Sequence, residues 1–373
     1  MNLSRELAHT RVCICVGAGG VGKTTTSAAI ALMLARSGKR VALVTIDPAK
    51  RLADALGVSD LAGEPQQVDL DCSGELWAMM LDPQATFDGM VENLAPDEDS
   101  RDAILTNAIY QRLSSAVAGS QEFTAVAKLY ELDRSRRFDA IVLDTPPSRN
   151  ALDFLEAPDR LTAFLEGRGL TALFAPSGPL AKVAGRGSGL VFGTLGRLTG
   201  SELLRDIETF FSAFGTVLDG FRERASAVSR LLADPSTAFV IVTAAEREPA
   251  GEAIHLAQRL NRSEIDLTAL IVNRVTPASD EPRELDIDAI TRQLGGDAEL
   301  ATKVVRTAAD ARAIALAQRA QIDRLRDALP GRSLVIVPRL AGDLHDLAGI
   351  GRLAEWVAED QDARESALAH RAV

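Results

Sequence analysis

Residues 17–24 read GAGGVGKT and satisfy the pattern G-x-x-x-x-G-K-[ST] through Gly17, Gly22, Lys23 and Thr24. The chemistry that this spacing serves is the holding of a phosphate chain. Glycines let successive backbone N–H groups converge on phosphate oxygens, and the N-terminus of a following helix adds partial positive charge. Gly19, Gly20, Val21 and Thr25 complete such a cradle. Lys23 is the residue placed to reach the β and γ phosphates of a nucleoside triphosphate, and the Thr24 hydroxyl to ligate Mg²⁺. The motif needs a strand before it and a helix after it. The apolar run RVCICV (11–16) supplies the first. TTSAAIALMLARSG, with Ala/Leu at helical spacing and a stop at Gly38, supplies the second.

Two carboxylates follow apolar runs of their own. Asp47 stands in TIDPAKRLADAL and Asp144 in IVLDTPPSRN. The carboxyl ends of parallel strands share one rim of a sheet, the rim onto which a phosphate loop opens. Asp144 has the position of a metal-holding acid, acting on Mg²⁺ directly or through water. Asp47 is placed to orient or deprotonate an attacking water. Each acid has a competing reading as a helix N-cap, and for Asp47 that reading is supported by Pro48 at a natural first helical position.

The elements that must position these residues alternate. Buried strands are predicted at 11–16, 40–46, 75–81, 138–143, 238–243, 267–272 and 333–337, separated by helical segments. This is the pattern of an α/β fold, a mostly parallel sheet flanked by helices. Residues 83–135 and 154–233 break the rhythm and are read as an inserted helical subdomain on a single domain spanning 1–373. The second block is rich in Phe, Leu and Gly, with six glycines from Gly185 to Gly200, expected to form a mobile loop. Residues 359–373 are expected to be a frayed tail.

Composition narrows the function. The balance of 41 basic against 52 acidic residues gives −11, which disfavours a nucleic-acid or anionic-membrane surface. A nucleotide stays compatible with that charge, because one local site can hold it. The three cysteines, Cys13, Cys15 and Cys72, form neither a disulfide framework nor a zinc cluster. Cys13 and Cys15 are read as small core residues of the first strand. No apolar stretch reaches membrane-spanning length, and residues 1–11 have no secretory pattern. A cytoplasmic protein, peripheral to the membrane at most, is expected.

Taken in order, GAGGVGKTTT, TIDPAKRLADALG and LDTPPSRNALDFL resemble the ArsA-like ATPases, most closely the bacterial single-domain members labelled anion-transporting ATPases. The resemblance runs to about residue 350. It implies a P-loop NTPase fold, ATP and Mg²⁺ as cofactors, and hydrolysis supported by Asp47 in a first switch, with a second switch beginning at Asp144. It further implies that Asn273, in IVNR, reads adenine, with Glu246 one strand earlier and Pro338 and Arg339 in an adenine loop. No NKxD guanine motif occurs. The chain departs from the family at Ala18, where an extra Lys ordinarily crosses a dimer interface to the partner's phosphates. That departure implies slow hydrolysis in a homodimer, or a heterodimer in which a sister ATPase supplies the Lys. The zinc-binding CxxC of the eukaryotic guiding factors and the cysteine triad of arsenite-stimulated members are absent.

Three uses of the ATP follow from the resemblance. One is a dimer cycle that handles hydrophobic segments of membrane proteins, for which 154–233 could line a groove. Its competing reading is that these Phe and Leu residues pack among themselves. A second use is energising an anion transporter. A third, positioning of cargo on membrane or DNA, is disfavoured by the acidic tail. A nucleotide-binding scaffold with little turnover is the non-enzymatic alternative.

Overall fold

The computed structural model describes residues 2–46, 51–58, 61, 63–107, 110–111, 121–145, 217, 219–277, 285–340, 344 and 346–359. Its strands are β1 (Val12–Val16), β2 (Arg40–Thr45), β3 (Gln66–Gln67), β4 (Glu75–Met80), β5 (Ala140–Asp144), β6 (Thr237–Ala244), β7 (Leu267–Val275) and β8 (Ser333–Pro338). They form one sheet in the order β3-β4-β2-β5-β1-β6-β7-β8. Every pairing is parallel except β3 with β4. The seven predicted strands are all present. The additional strand, β3, pairs only Gln66 and Gln67 with Ala78 and Trp77. Two glutamines offer no apolar run, so hydropathy gives no sign of it. The strand expected from residue 138 begins at Ala140. Phe138 packs into the core below, and the Asp139 carboxylate accepts the Arg40 backbone N–H at 2.8 Å.

The helices are α1 (Leu3–Glu6), α2 (Lys23–Arg36), α3 (Arg51–Leu56), α4 (Pro83–Leu94), α5 (Glu98–Leu105), α6 (Gln121–Ser135), α7 (219–232), α8 (Arg247–Arg262), α9 (Ile287–Gln293), α10 (Ala298–Ala328) and α11 (Leu347–Ala358). The sheet is covered on both faces. β1 shows how: successive strand side chains point to opposite faces, so Cys13 and Cys15 join one apolar core with α2 and α11. Val12, Ile14 and Val16 join the other, with α6, α7, α8 and α10. Both cysteines are the core residues expected.

Among the described residues, 83–135 contain helices and no strand. A third apolar cluster gathers Phe87, Met90 and Val91 of α4 with Ile104, Tyr110, Ala127, Val217 and Phe221. Phe87 stacks on Tyr110 at 6.0 Å and tilts against Phe221 at 5.4 Å. The Tyr110 hydroxyl donates to Asp88 at 2.6 Å. Phe221, at the end of the second predicted helical block, is therefore packed against the first. Residues 154–216 and 218 of that block, including Gly185–Gly200, and the tail beyond Glu359 lie outside the described residues. The stretch between β7 and β8, expected as a helical segment, holds two helices, α9 and the 31-residue α10, capped by Asp286 and Asp297.

Candidate active site

The loop after β1 opens between the two strands that flank β1, with β5 on one side and β6 on the other. Its backbone is dictated by close approach. Gly17 has φ +148°, and a Cβ there would lie 2.0 Å from the Val242 carbonyl oxygen of β6. Gly22 has φ +93°, and its Cβ would lie 2.4 Å from Nδ2 of Asn273. Neither position has room for a side chain, and both φ values belong to the region glycine tolerates. Gly22 is the N-cap of α2, with no side-chain cap, so the first N–H groups of the helix stay available to an anion. Lys23 is buried, and its ammonium donates to the Ala18 carbonyl at 2.8 Å. Gly19 and Gly20 are exposed, while Thr25 is half-buried behind Thr24 in the first turn.

Strand register brings Asp144 to this loop. Asp144 lies opposite Cys15 of β1 on one side and Thr45 of β2 on the other. It is fully buried. Its Oδ2 accepts from the Thr24 hydroxyl at 2.7 Å and the Thr45 hydroxyl at 3.0 Å, and its Oδ1 from the Ser27 hydroxyl at 3.3 Å. Burial pushes the carboxyl above the usual carboxylate range, since the charged form is cut off from water. The three hydroxyls and the Lys23 ammonium pull in the opposite direction without cancelling it. Thr24 Oγ1 and Asp144 Oδ2 form an adjacent pair of hard oxygen donors, the kind Mg²⁺ takes in ones and twos beside phosphate and water. The donor set fits that ion.

The other expected residues are placed as follows. Asp47 lies outside the described residues; it comes two positions after Thr45. Asn273, near the end of β7, is buried against the loop: Nδ2 donates to the Val21 carbonyl at 2.9 Å and Oδ1 accepts the Arg274 N–H at 2.9 Å. Glu246 is exposed at the N-cap of α8, just past β6. Pro338 ends β8, and exposed Arg339 extends the β7–β8 pairing through its N–H to the Val275 carbonyl at 2.8 Å. Glu246, Asn273, Pro338 and Arg339 thus sit at the carboxyl ends of three adjacent strands.

Three participants escaped the sequence reading: Thr45, Ser27 and Arg274. The first two had a usable signal. Thr45 ends its strand as Asp144 ends its own, and Ser27 lies one helical turn beyond Thr24, on the same face.

A family model described as anion-transporting ATPase matches residues 10–295. The chain belongs to this ATPase family. The match takes in the phosphate loop, Asp144 and β7 and stops short of α10, β8 and α11. The chain is 32% identical over 260 residues to an ATPase GET3 of Rhodotorula glutinis, covering 69% of this chain and 68% of that protein. It is 31% identical over 261 residues to an ATPase get3 of Aspergillus terreus, with 69% and 71% covered. A third relative, an ATPase get3 of Schizosaccharomyces japonicus, is 32% identical over 261 residues, with 69% and 72% covered. The ArsA-like resemblance and the P-loop α/β fold are both shown. The protein is a P-loop ATPase that binds nucleotide and hydrolyses ATP. No helix among the described residues is long and apolar enough to cross a membrane.

Proposed function

We propose that residues 17–25 hold the triphosphate of ATP, that Thr24 and Asp144 hold Mg²⁺, and that Asp47 positions the attacking water. The observation that carries this reading is the 2.7 Å contact between the Thr24 hydroxyl and a buried Asp144 at the mouth of a glycine-built phosphate loop. In hydrolysis the water oxygen forms a bond to the γ phosphorus while the bond to the β–γ bridging oxygen breaks. The products are ADP and inorganic phosphate, and the water's proton is released. Lys23 and the loop N–H groups are set to stabilise the charge on the departing oxygens. Mg²⁺, when bound, supplies charge neutralisation on the phosphate oxygens.

The same reading extends to assembly. The ATP cycle changes the relation of two copies of the chain, or of this chain and a sister ATPase, and the helical subdomain handles hydrophobic membrane-protein segments in step with it. The relatives named GET3 favour this use over an anion transporter, while the matched family's description keeps the latter as the second reading. The residue at 18 is Ala, so nothing there reaches a partner's phosphates. Slow turnover by the pure chain and faster turnover when mixed with a sister chain are expected.

Two measurements test this. Purified Lys23→Ala protein loses ATP binding or turnover, and unchanged ATPase activity would overturn the site assignment. Light scattering of the full chain with an ATP transition-state mimic shows a dimer, alone or with a sister chain. A monomer under both conditions removes the dimer cycle.

A further inference from the structure

Two consecutive residues at the end of β7 grip two consecutive carbonyls of the phosphate loop. Asn273 Nδ2 donates to the Val21 carbonyl at 2.9 Å, and Arg274 Nη1 donates to the Gly20 carbonyl at 3.0 Å. Arg274 adopts φ +58°, a left-handed conformation that is costly for a residue with a long side chain. The Asn273 side chain fixes that conformation, because its Oδ1 accepts the Arg274 N–H at 2.9 Å. The turn folds the guanidinium back onto the loop. Such a strained residue, held by a neighbour that itself touches the loop, points to a task at the loop.

Peptide planarity states the task. In a trans peptide the C=O of one residue and the N–H of the next point in opposite directions. The Gly20 carbonyl shares its plane with the Val21 N–H, and the Val21 carbonyl with the Gly22 N–H. Holding both carbonyls toward β7 aims both N–H groups the other way. Gly20, with φ +76°, and Gly22, with φ +93°, are free to take other conformations, so the loop needs an outside restraint to keep those planes fixed. Arg274 adds a full positive charge to that restraint. The ion pairs among the described residues give it no carboxylate partner.

We infer that Arg274, locked by Asn273, is a positioning residue: it pre-sets the Val21 and Gly22 N–H groups for a di- or triphosphate and brings a cation to the loop from within the same chain. This rests on the assignment of residues 17–25 as the phosphate site. It also gives Asn273 a task distinct from reading a base.

The test uses Arg274→Gly, Arg274→Lys and, as a control on the underlying assignment, Lys23→Ala. Each protein is titrated with a fluorescent ATP analogue in competition with ATP, ADP and AMP, and the melting temperature of each is recorded without nucleotide. Arg274→Gly removes the grip and relieves the left-handed strain. Its affinity for ATP and ADP falls about tenfold, the scale of losing one charge-assisted hydrogen bond. Affinity for AMP, which lacks the phosphates the loop wraps, changes less than twofold by this account, and melting is unchanged or higher. Arg274→Lys keeps a charged donor and recovers most of the loss. Wild-type ATP and ADP affinity in Arg274→Gly, or a loss shared equally by AMP and accompanied by lower melting, overturns the inference while Lys23→Ala still abolishes ATP binding or turnover. If Lys23→Ala also binds and hydrolyses ATP normally, the loop assignment and this inference fall together.

Discussion

Gly17→Ala puts the geometry of the loop to a quantitative test. The added Cβ would lie 2.0 Å from the Val242 carbonyl oxygen, and real Cβ atoms essentially never come closer than 3.0 Å to such an atom. The obstacle is backbone on the neighbouring central strand, so no rotamer change relieves it. The difference, 3.0 minus 2.0, means that loop and strand must part by at least 1.0 Å. Overpacking of this kind costs about 1–3 kcal/mol, and a large domain loses roughly 2–4 °C of melting temperature per kcal/mol. Catalysis suffers more, because a 1 Å misplacement of a positioning group costs on the order of a hundredfold in rate. Gly38→Ala is the control. Gly38 has φ +92° with nothing within 4 Å of its Cβ, so it carries the strain without the clash. The expected result is a Gly17→Ala protein that melts several degrees lower and has lost about two orders of magnitude in steady-state ATPase rate, beside a Gly38→Ala protein with near-normal turnover. Wild-type melting and turnover in Gly17→Ala would refute the reasoning, since they would show that β1 and β6 do not hold the loop in the conformation described.

Two further substitutions separate the roles of the acids. Asp47→Asn should bind ATP with near-normal affinity while single-turnover hydrolysis falls by about 10²–10⁴-fold; normal hydrolysis would return Asp47 to a helix cap. Asp144→Asn removes a buried carboxyl whose folded value lies above the usual range. The protonated form of such a group favours folding below about pH 4, and that contribution is lost as pH rises through the raised value. The nucleotide-free Asn variant should therefore match or exceed the wild type in melting at pH 7, with the gap closing toward pH 4, while Mg-dependent ATPase activity disappears. A variant that melts well below the wild type at pH 7 would show that the carboxylate stabilises the empty fold.

How much of this was legible in the sequence depends on how each signal arises. The phosphate loop is local: its glycines, Lys23 and Thr24 are contiguous, and the flanking strand and helix announce themselves by period. Asp144 was found because an apolar run ends on it and parallel strands end on one rim. Its partner Thr45 carries the same strand-end signal, but strand register and sheet order decide which ends lie side by side; Ser27 is marked only by its place one turn beyond Thr24 on α2. β2 neighbours β5 although they are far apart in sequence. Asn273 was noticed for a different reason than the contact it makes, since its grip on Val21 joins residues 252 positions apart. Arg274 had no sequence signal, because a left-handed backbone at an arginine is imposed by tertiary contacts rather than by propensity. β3 and the α9–α10 pair show the opposite limits: two glutamines are too short a run to see, and a long helix exposed over much of its first half carries a weak apolar stripe.

Because β1 contributes alternate side chains to two separate cores and is flanked by β5 and β6, the loop it carries is mounted on a fully buried strand in the interior of the sheet. A mount of that kind does not recoil when a phosphate departs. Whatever displacement follows the loss of the γ phosphate therefore begins at the side chains around the loop, Asp144 and its hydroxyl partners. The end of β2 and the first turn of α2 meet on a single carboxylate oxygen, Oδ2 of Asp144, through the Thr45 and Thr24 hydroxyls. One atom therefore couples the helix behind the phosphate loop to the end of β2, and a change in what it binds is felt by both at once.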